Sequence, residues 1–477
     1  MLTDDHLESP KNHACGWIQK EKPKERGRLT SSHGAQDPTS TRATIDMLPD
    51  LVLLELFDIY VNEAGPIEKW HTLVHVCRRW RDIVFGSPRR LGLQLFCKAR
   101  KPVRETLDVW PPLPIVIRHG CYQMLDMDNL VAALKHTNRV CEIRLWPVPS
   151  SQWKNVLAAM QQSFPELTDL KLQTNDEKAP VVPDSFLGGS APRLRSVRFE
   201  RISFPGLPNL LLSATGLVKI SLQKIPLSGY ISPEVMATCL STLARLTELD
   251  LSFMSPPSCP NRESRRPPPL TRSVLPALRH FWFVGVSEYL EDLVAQIESP
   301  LLDSLQIKFF HQLIFDTPQL ARFISRTPVL KTRNEARMII SHSGASVVVP
   351  GVVGRGLQLE ISCQQLDWQL SSLAQLCSSS FPRTLISSLE HLFIYDNKYS
   401  RPLWQDDIEN SQWLELLQPF IAVNNLHLSR EFTPRIVPAL QELVKERKTE
   451  VLPALQYLCL EEDHASGPIR REAIIDV

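Results

Sequence analysis

A short apolar word, L-x-x-L-x-L, recurs along most of this chain and leaves few folds open to it. It stands as RVCEIRLW at 139–146, LTDLKL at 167–172, LRSVRF at 194–199, LVKISL at 217–222 and LTELDL at 246–251. It continues as LRHFWF at 278–283, LDSLQI at 302–307, LEHLFI at 389–394 and LQYLCL at 455–460. Leucine-type residues two apart share one face of a strand. Between most of these words lie segments with helical spacing: SQWKNVLAAMQQSF, PEVMATCLSTLARL, SEYLEDLVAQIES, TPQLARFISRT, LDWQLSSLAQLCSS, SQWLELLQPFIAV and PRIVPALQELVKER. Successive clear strands are roughly 23 to 33 residues apart, one strand and one helix per unit. A single unit of this kind cannot bury its own leucines, whereas stacked units share a continuous core.

That period resembles the leucine-rich repeat. The fold class it implies is α/β: a solenoid over 139–477 with parallel strands on the concave side and helices on the convex side. Asn175 and Asn397 stand where the repeat places an asparagine whose amide ties down the turn after the strand. The other repeats lack it. A doubly wound sheet also alternates strand and helix, but no Gly-rich fingerprint follows any strand. Two segments interrupt the array. Residues 254–272 are proline-rich and basic, a mobile loop. Residues 329–356 carry apolar strands without the leucine pattern and are assigned to the solenoid. After the last strand, EEDHASGPIRREAIIDV leaves room for a partial helix.

The stretch Ile45–Phe96 reads differently. Leu53, Leu56, Phe57 and Tyr60 share helical spacing, with Pro49 and Asp50 suited to the first turn. A second helix is expected from near Trp70 through Val84, stopped by Gly86 and Pro88. LPDLVLLELF followed by W-x-x-L-x-x-VCRRW-x-x-I resembles an F-box, and IVFGSPRRLGLQL resembles the ending found in mushroom-type fungal members of that family. Leu51 stands where the family has an acidic residue. The resemblance implies that Leu48, Pro49, Val52, Leu53, Leu56, Phe57 and Trp80 dock on a Skp-type adaptor, itself joined to a cullin. The resulting domain plan is a polar, disordered tail at 1–43, a helical F-box domain at 44–98, a linker or solenoid cap at 99–138, and the solenoid beyond. Within 99–138, WPPLPIVI reads as extended and DMDNLVAALKHTN as a helix started by Asp126 or Asp128.

Composition bounds the function classes. A net charge of +1 gives no global pull towards nucleic acid or anionic membrane. The ten cysteines are dispersed without a CxxC pair, as expected of buried thiols in a reducing compartment, and no metal site is expected. No apolar run approaches a membrane span, so the expectation is a cytoplasmic or nuclear protein. His71 and His75 have i,i+4 spacing but lack the Glu of a zinc-protease helix. GVVGRG at 351–356 lacks the Lys-Ser/Thr of a phosphate loop, and GxSxG is absent. The expectation is therefore a non-catalytic chain without cofactor. In each strand word the residue between the last two leucine-type positions points away from the core. Those positions hold Arg144, Lys171, Arg198, Ser221, Asp250, Trp282, Gln306, Phe393 and Cys459. Arginines and aromatics there are of the types that anchor interfaces. The reading is a substrate-recognition subunit of a Skp–cullin–F-box ubiquitin ligase that holds a target protein near the transfer machinery. The alternative is a scaffold or ligand-sensing solenoid that recruits no ligase.

Overall fold

The computed structural model describes residues 45–63, 69–97, 102–119, 126–146, 148–176, 180–255, 271–312, 314–330, 333–351, 356–397, 399–402, 404–405, 408–446, 451–461 and 474–476. The tail at 1–43 and most of the proline-rich segment 254–272 lie outside these. The chain forms two compact units, Met1–Leu56 and Phe57–Val477.

The described part of the first unit is a 3-10 turn, Ile45–Met47, and the first turns of the helix Asp50–Asn62. The Pro49 carbonyl accepts the amides of Val52 and Leu53 and so opens the helix. Proline suits this place because an N–H there has no intrahelical partner.

The second unit is built on strands: β1 Leu95–Cys97, β2 Ile115–His119, β3 Val140–Leu145, β4 Asp169–Gln173, β5 Ser196–Glu200, β6 Lys219–Ile225, β7 Glu248–Phe253, β8 Ser273–Val274, β9 His280–Gly285, β10 Ile297–Glu298, β11 Ser304–Phe309, β12 Glu335–Ser341, β13 Gly344–Val349, β14 Gly356–Ser362, β15 His391–Asp396, β16 Asn425–Ser429, β17 Tyr457–Glu461 and β18 Ile474–Asp476. Sixteen join one sheet, in the order β1-β2-β3-β4-β5-β6-β7-β9-β11-β14-β13-β12-β15-β16-β17-β18. β8 and β10 pair separately.

The leucine word explains the core directly. Leu145, Leu172, Phe199, Leu222, Leu251, Phe283, Ile307, Leu359, Val347, Met338, Ile394, Leu428 and Leu460 are partners in turn across thirteen strands. All but the last are buried and belong to one apolar core with the inner faces of the helices. Each such side chain contributes about 1.5–3 kcal/mol when fully buried. Strand entry repeats as well. The carbonyls of Thr168, Arg195, Val218, Thr247 and Arg279 each accept two successive amides from the next strand's start, and those of Asn334, Glu390 and Asn424 do the same.

The segment 329–356 breaks this regularity. β12 enters the sheet with two strand positions between it and β11, and β13 and β14 fold back to fill them, β13 antiparallel to both neighbours. The core row passes through the hairpin without losing its inward phase, because the side-chain period is two in either strand direction. Both hairpin glycines are required. A Cβ on Gly344 would sit 2.1 Å from the Ile361 carbonyl oxygen, and Gly356 has φ +68° with a Cβ position 2.3 Å from the Val349 oxygen. One long helix, Leu366–Ser380, packs on β13 and β14. Within it Gln369 is buried and its Nε2 donates to the Ser341 carbonyl at 2.9 Å and the Cys363 carbonyl at 2.6 Å. The ends of the inserted strands are thereby tied to the helix.

Several expectations need correction. The sheet begins at β1, inside the segment expected to be purely helical, and β2 lies in the expected linker. Both are short strands without the leucine word. The helix expected over Trp70–Val84 is two: Trp70–Val74, whose last turn closes through the amides of His75 and Val76, and Arg78–Gly86. Cys77 between them is extended, with φ −155° and ψ 171°. Asn175 is exposed and contributes its carbonyl, which accepts from Arg201; the buried Thr174 holds that turn through the Val148 carbonyl. Asn397 does tie its turn, its side chain accepting the Tyr399 amide at 3.0 Å. Near the C-terminal end β18 pairs antiparallel with β17 where a partial helix was expected.

Candidate functional site

The sheet has one face buried under the helices and one open face. One residue inward of the core row, along each strand, lies an outward row. Arg118, Arg144, Lys171, Arg198, Ser221, Asp250, Trp282, Gln306, Gln358, Val348, Arg337, Phe393, His427 and Cys459 are partners in turn across β2 to β17. All seven candidate target-binding residues stand on it. The structure adds Arg118, Gln358, Val348, Arg337 and His427. Arg118 was missed because its strand, PIVIRH, lacks the leucine word. Gln358, Val348 and Arg337 were missed because the hairpin carries no repeat word.

Electrostatics divide the row. At the β2–β7 end, Arg118 donates to Glu142 at 2.5 Å, and Arg144 meets Glu142 at 3.1 Å and Asp169 at 3.0 Å. Lys219 pairs with Glu248 at 2.6 Å. Burial, with Glu248 adding to it, pushes the Asp250 carboxyl above the usual carboxylate range, while Ser221 and Arg198 act the other way. Trp282 is half-buried between these charges and Gln306. At the β12–β17 end the Phe393 ring stacks on His427 at 4.1 Å, and the Arg337 guanidinium lies 6.0 Å from the Phe393 centroid. Arg337 also pairs with Glu335, which is the main reason its pKa is raised.

The seven candidate adaptor-docking residues divide by exposure. Pro49, Val52 and Leu56 are exposed and Leu48 is half-buried, whereas Leu53 and Phe57 are buried. Trp80 is half-buried, its ring 4.7 Å from that of Phe57. Along the helix Asp50–Asn62 the expected single face is therefore split. Leu53, Leu54 and Phe57 point inward, while Leu51 is 72% and Ile59 59% exposed, with Val52, Leu56 and Tyr60 also exposed. In 13 residues the helix carries more apolar side chains than one stripe can hold. The histidines of HTLVH both approach the Trp110 ring. His71 stacks on Trp110 at 4.7 Å and His75 approaches the same ring edge-on at 6.0 Å. Among the described residues no group of three His, Cys, Asp or Glu could hold a metal ion, and no helix is long and apolar enough to cross a membrane.

No family model matches the chain, and no curated protein matches it. Among solved structures it is similar to the leucine-rich repeat-containing protein LegL7 from Legionella pneumophila. The two are 11% identical, the match covers 77% of this chain and 90% of that one, and the TM-score is 0.26. At that score the likeness carries no weight. The repeat architecture rests on this chain's own strand register.

Proposed function

We propose that the chain is a protein-binding solenoid acting as the substrate-recognition subunit of a Skp–cullin–F-box ubiquitin ligase. The observation that supports this most is the two-sided helix Asp50–Asn62. It buries Leu53 and Phe57 and still exposes Leu51, Val52, Leu56 and Ile59. Exposed apolar residues arrayed along one short helix favour a protein partner, and the F-box resemblance names a Skp-type adaptor as that partner. The outward row of the sheet then holds the target, through Trp282, Phe393 and the charged residues beside them. The chain supplies no acid, base or nucleophile in this reading. It raises the effective concentration of target lysines near the transfer machinery.

A second reading is a scaffold that recruits no ligase. The burial of Leu53 and Phe57 favours it, since two residues of the F-box pattern are not available for direct contact. Capture from cell extract separates the two. The ligase reading expects the wild-type chain to retain a Skp-type adaptor and Val52→Glu to lose it. It fails if wild type retains none. On the sheet, Trp282→Ala is expected to weaken target capture and leave adaptor capture intact.

A further inference from the structure

Three cations, Arg144, Lys171 and Arg198, stand side by side on adjacent parallel strands. Strands lie about 4.8 Å apart, and like charges placed directly opposite each other repel. Two of the three are compensated. Arg144 has Asp169 and Glu142; Arg198 donates to Gln223 at 2.8 Å and lies 3.8 Å from Glu200. The same carboxylates serve other cations: Glu142 also pairs with Arg118, and Glu200 with Lys224 at 2.6 Å. Four cations thus share three carboxylates. Lys171 is the one left without an ion pair among the described residues. Its ammonium lies instead 5.1 Å from the centroid of Trp146, a ring 40% exposed. Burial first, then Arg198, and more weakly Arg144, lower its pKa, against the opposing pull of Glu200 and Asp169. The Arg198 Nε, shielded from solvent, has no hydrogen-bond partner among the described residues.

We propose that Lys171, flanked by Arg144 and Arg198 and by the exposed indole of Trp146, receives a carboxylate side chain from an acidic segment of the protein bound on this face. The inference rests on the reading of the sheet as a protein-binding surface and names the chemistry of its partner. The excess positive charge asks for an anion, and the indole offers an apolar surface beside it for the rest of the peptide. A short acidic segment fits better than a long polyanion. The cationic stretch spans only β2 to β5, and Glu248 with the half-buried Asp250 stands two strands beyond it. A nucleic-acid backbone following the row would meet those carboxylates.

The test is fluorescence polarisation on the full chain. The probe is a labelled short peptide of aspartate and glutamate with one phenylalanine; its Asn/Gln analogue, a phosphoserine analogue and a single-stranded oligonucleotide serve as comparison probes. The acidic peptide is expected to bind, and the Asn/Gln analogue to bind more weakly. Lys171→Ala is expected to weaken binding about fivefold, the scale of one partly exposed ion pair. Trp146→Ala should weaken it by a similar factor. Lys308→Ala, whose ammonium already pairs with Glu360 on the same sheet, should leave it unchanged. Equal binding of the acidic peptide and its Asn/Gln analogue overturns the proposal. So does indifference to Lys171→Ala, or binding confined to the phosphopeptide or the oligonucleotide. Adaptor capture is measured on the same preparations, so failure of the peptide with adaptor capture intact removes this inference and leaves the ligase reading standing.

Discussion

Replacing Gln369 by leucine should unlock the inserted hairpin. Gln369 is 1% exposed, and its Nε2 is shared between the carbonyls ending β12 and β14. Leucine nearly keeps the volume and removes the donor. Two partly buried acceptors then lose a partner, each costing about 1–2 kcal/mol. Against this, the Gln369 Oε1 is itself buried without a hydrogen-bond partner among the described residues, so removing it returns part of the loss. The expected net destabilisation is about 2–3 kcal/mol. In a stacked array the effect is local, because each unit contacts chiefly its neighbours. Hydrogen exchange followed by mass spectrometry should show peptides covering 335–362 losing protection by roughly 30- to 150-fold, with β3 to β7 unchanged. Unchanged protection over 335–362 would refute the tie between helix and hairpin. Equal loss in β3 to β7 would refute the locality.

Other outcomes follow from single contacts. The buried Glu291 carboxylate accepts the amides of Gln319 at 2.8 Å and Leu320 at 2.7 Å, capping the helix Pro318–Arg326 from the neighbouring repeat. Glu291→Ala should cost about 1–2 kcal/mol in urea unfolding, and an unchanged midpoint would deny the cap. Burial pushes the Cys97 and Cys141 thiols up to about 11 and Cys377 higher still, so at pH 8 the thiolate fraction at the first two falls roughly a hundredfold. Native alkylation should therefore spare these three and modify them once the chain is unfolded, as peptide mapping would reveal. The Asp250 carboxyl is raised in the folded state, so its charged form is disfavoured there above the unfolded pKa. Asp250→Asn should raise the melting temperature at pH 7, with a gain that shrinks as pH falls through the folded pKa. A gain independent of pH would assign the effect to something other than ionisation.

Much of the fold was legible because the leucine word fixes strand phase, and phase fixes both rows. Arg144, Lys171, Arg198, Asp250, Trp282, Gln306 and Phe393 come into one line for that reason alone. The hairpin was not legible. Residues 335–349 have strand composition, but nothing local says that β14 rather than β12 pairs with β11; the arrangement goes with Gly344, Gly356 and the packing of the helix that follows β14. β1, at three residues, was too short to show a repeat, and β2 was legible only as an extended segment because it lacks the leucine word. On the helix Asp50–Asn62, spacing alone could not tell which apolar face is covered. Leu53 and Leu56 are both leucines, and only the fold separates the buried one from the exposed one. The importance of Trp146 was visible only once the register set Lys171 beside it.

The most direct test is co-elution of the purified full chain with a purified Skp-type adaptor in size-exclusion chromatography. The expectation is a stable equimolar complex with wild type, lost with Leu56→Glu, a surface change on the exposed side of the helix Asp50–Asn62, while hydrogen exchange across β3 to β17 stays the same. Separate elution of the wild-type chain and the adaptor, or a complex that survives Leu56→Glu, would contradict it.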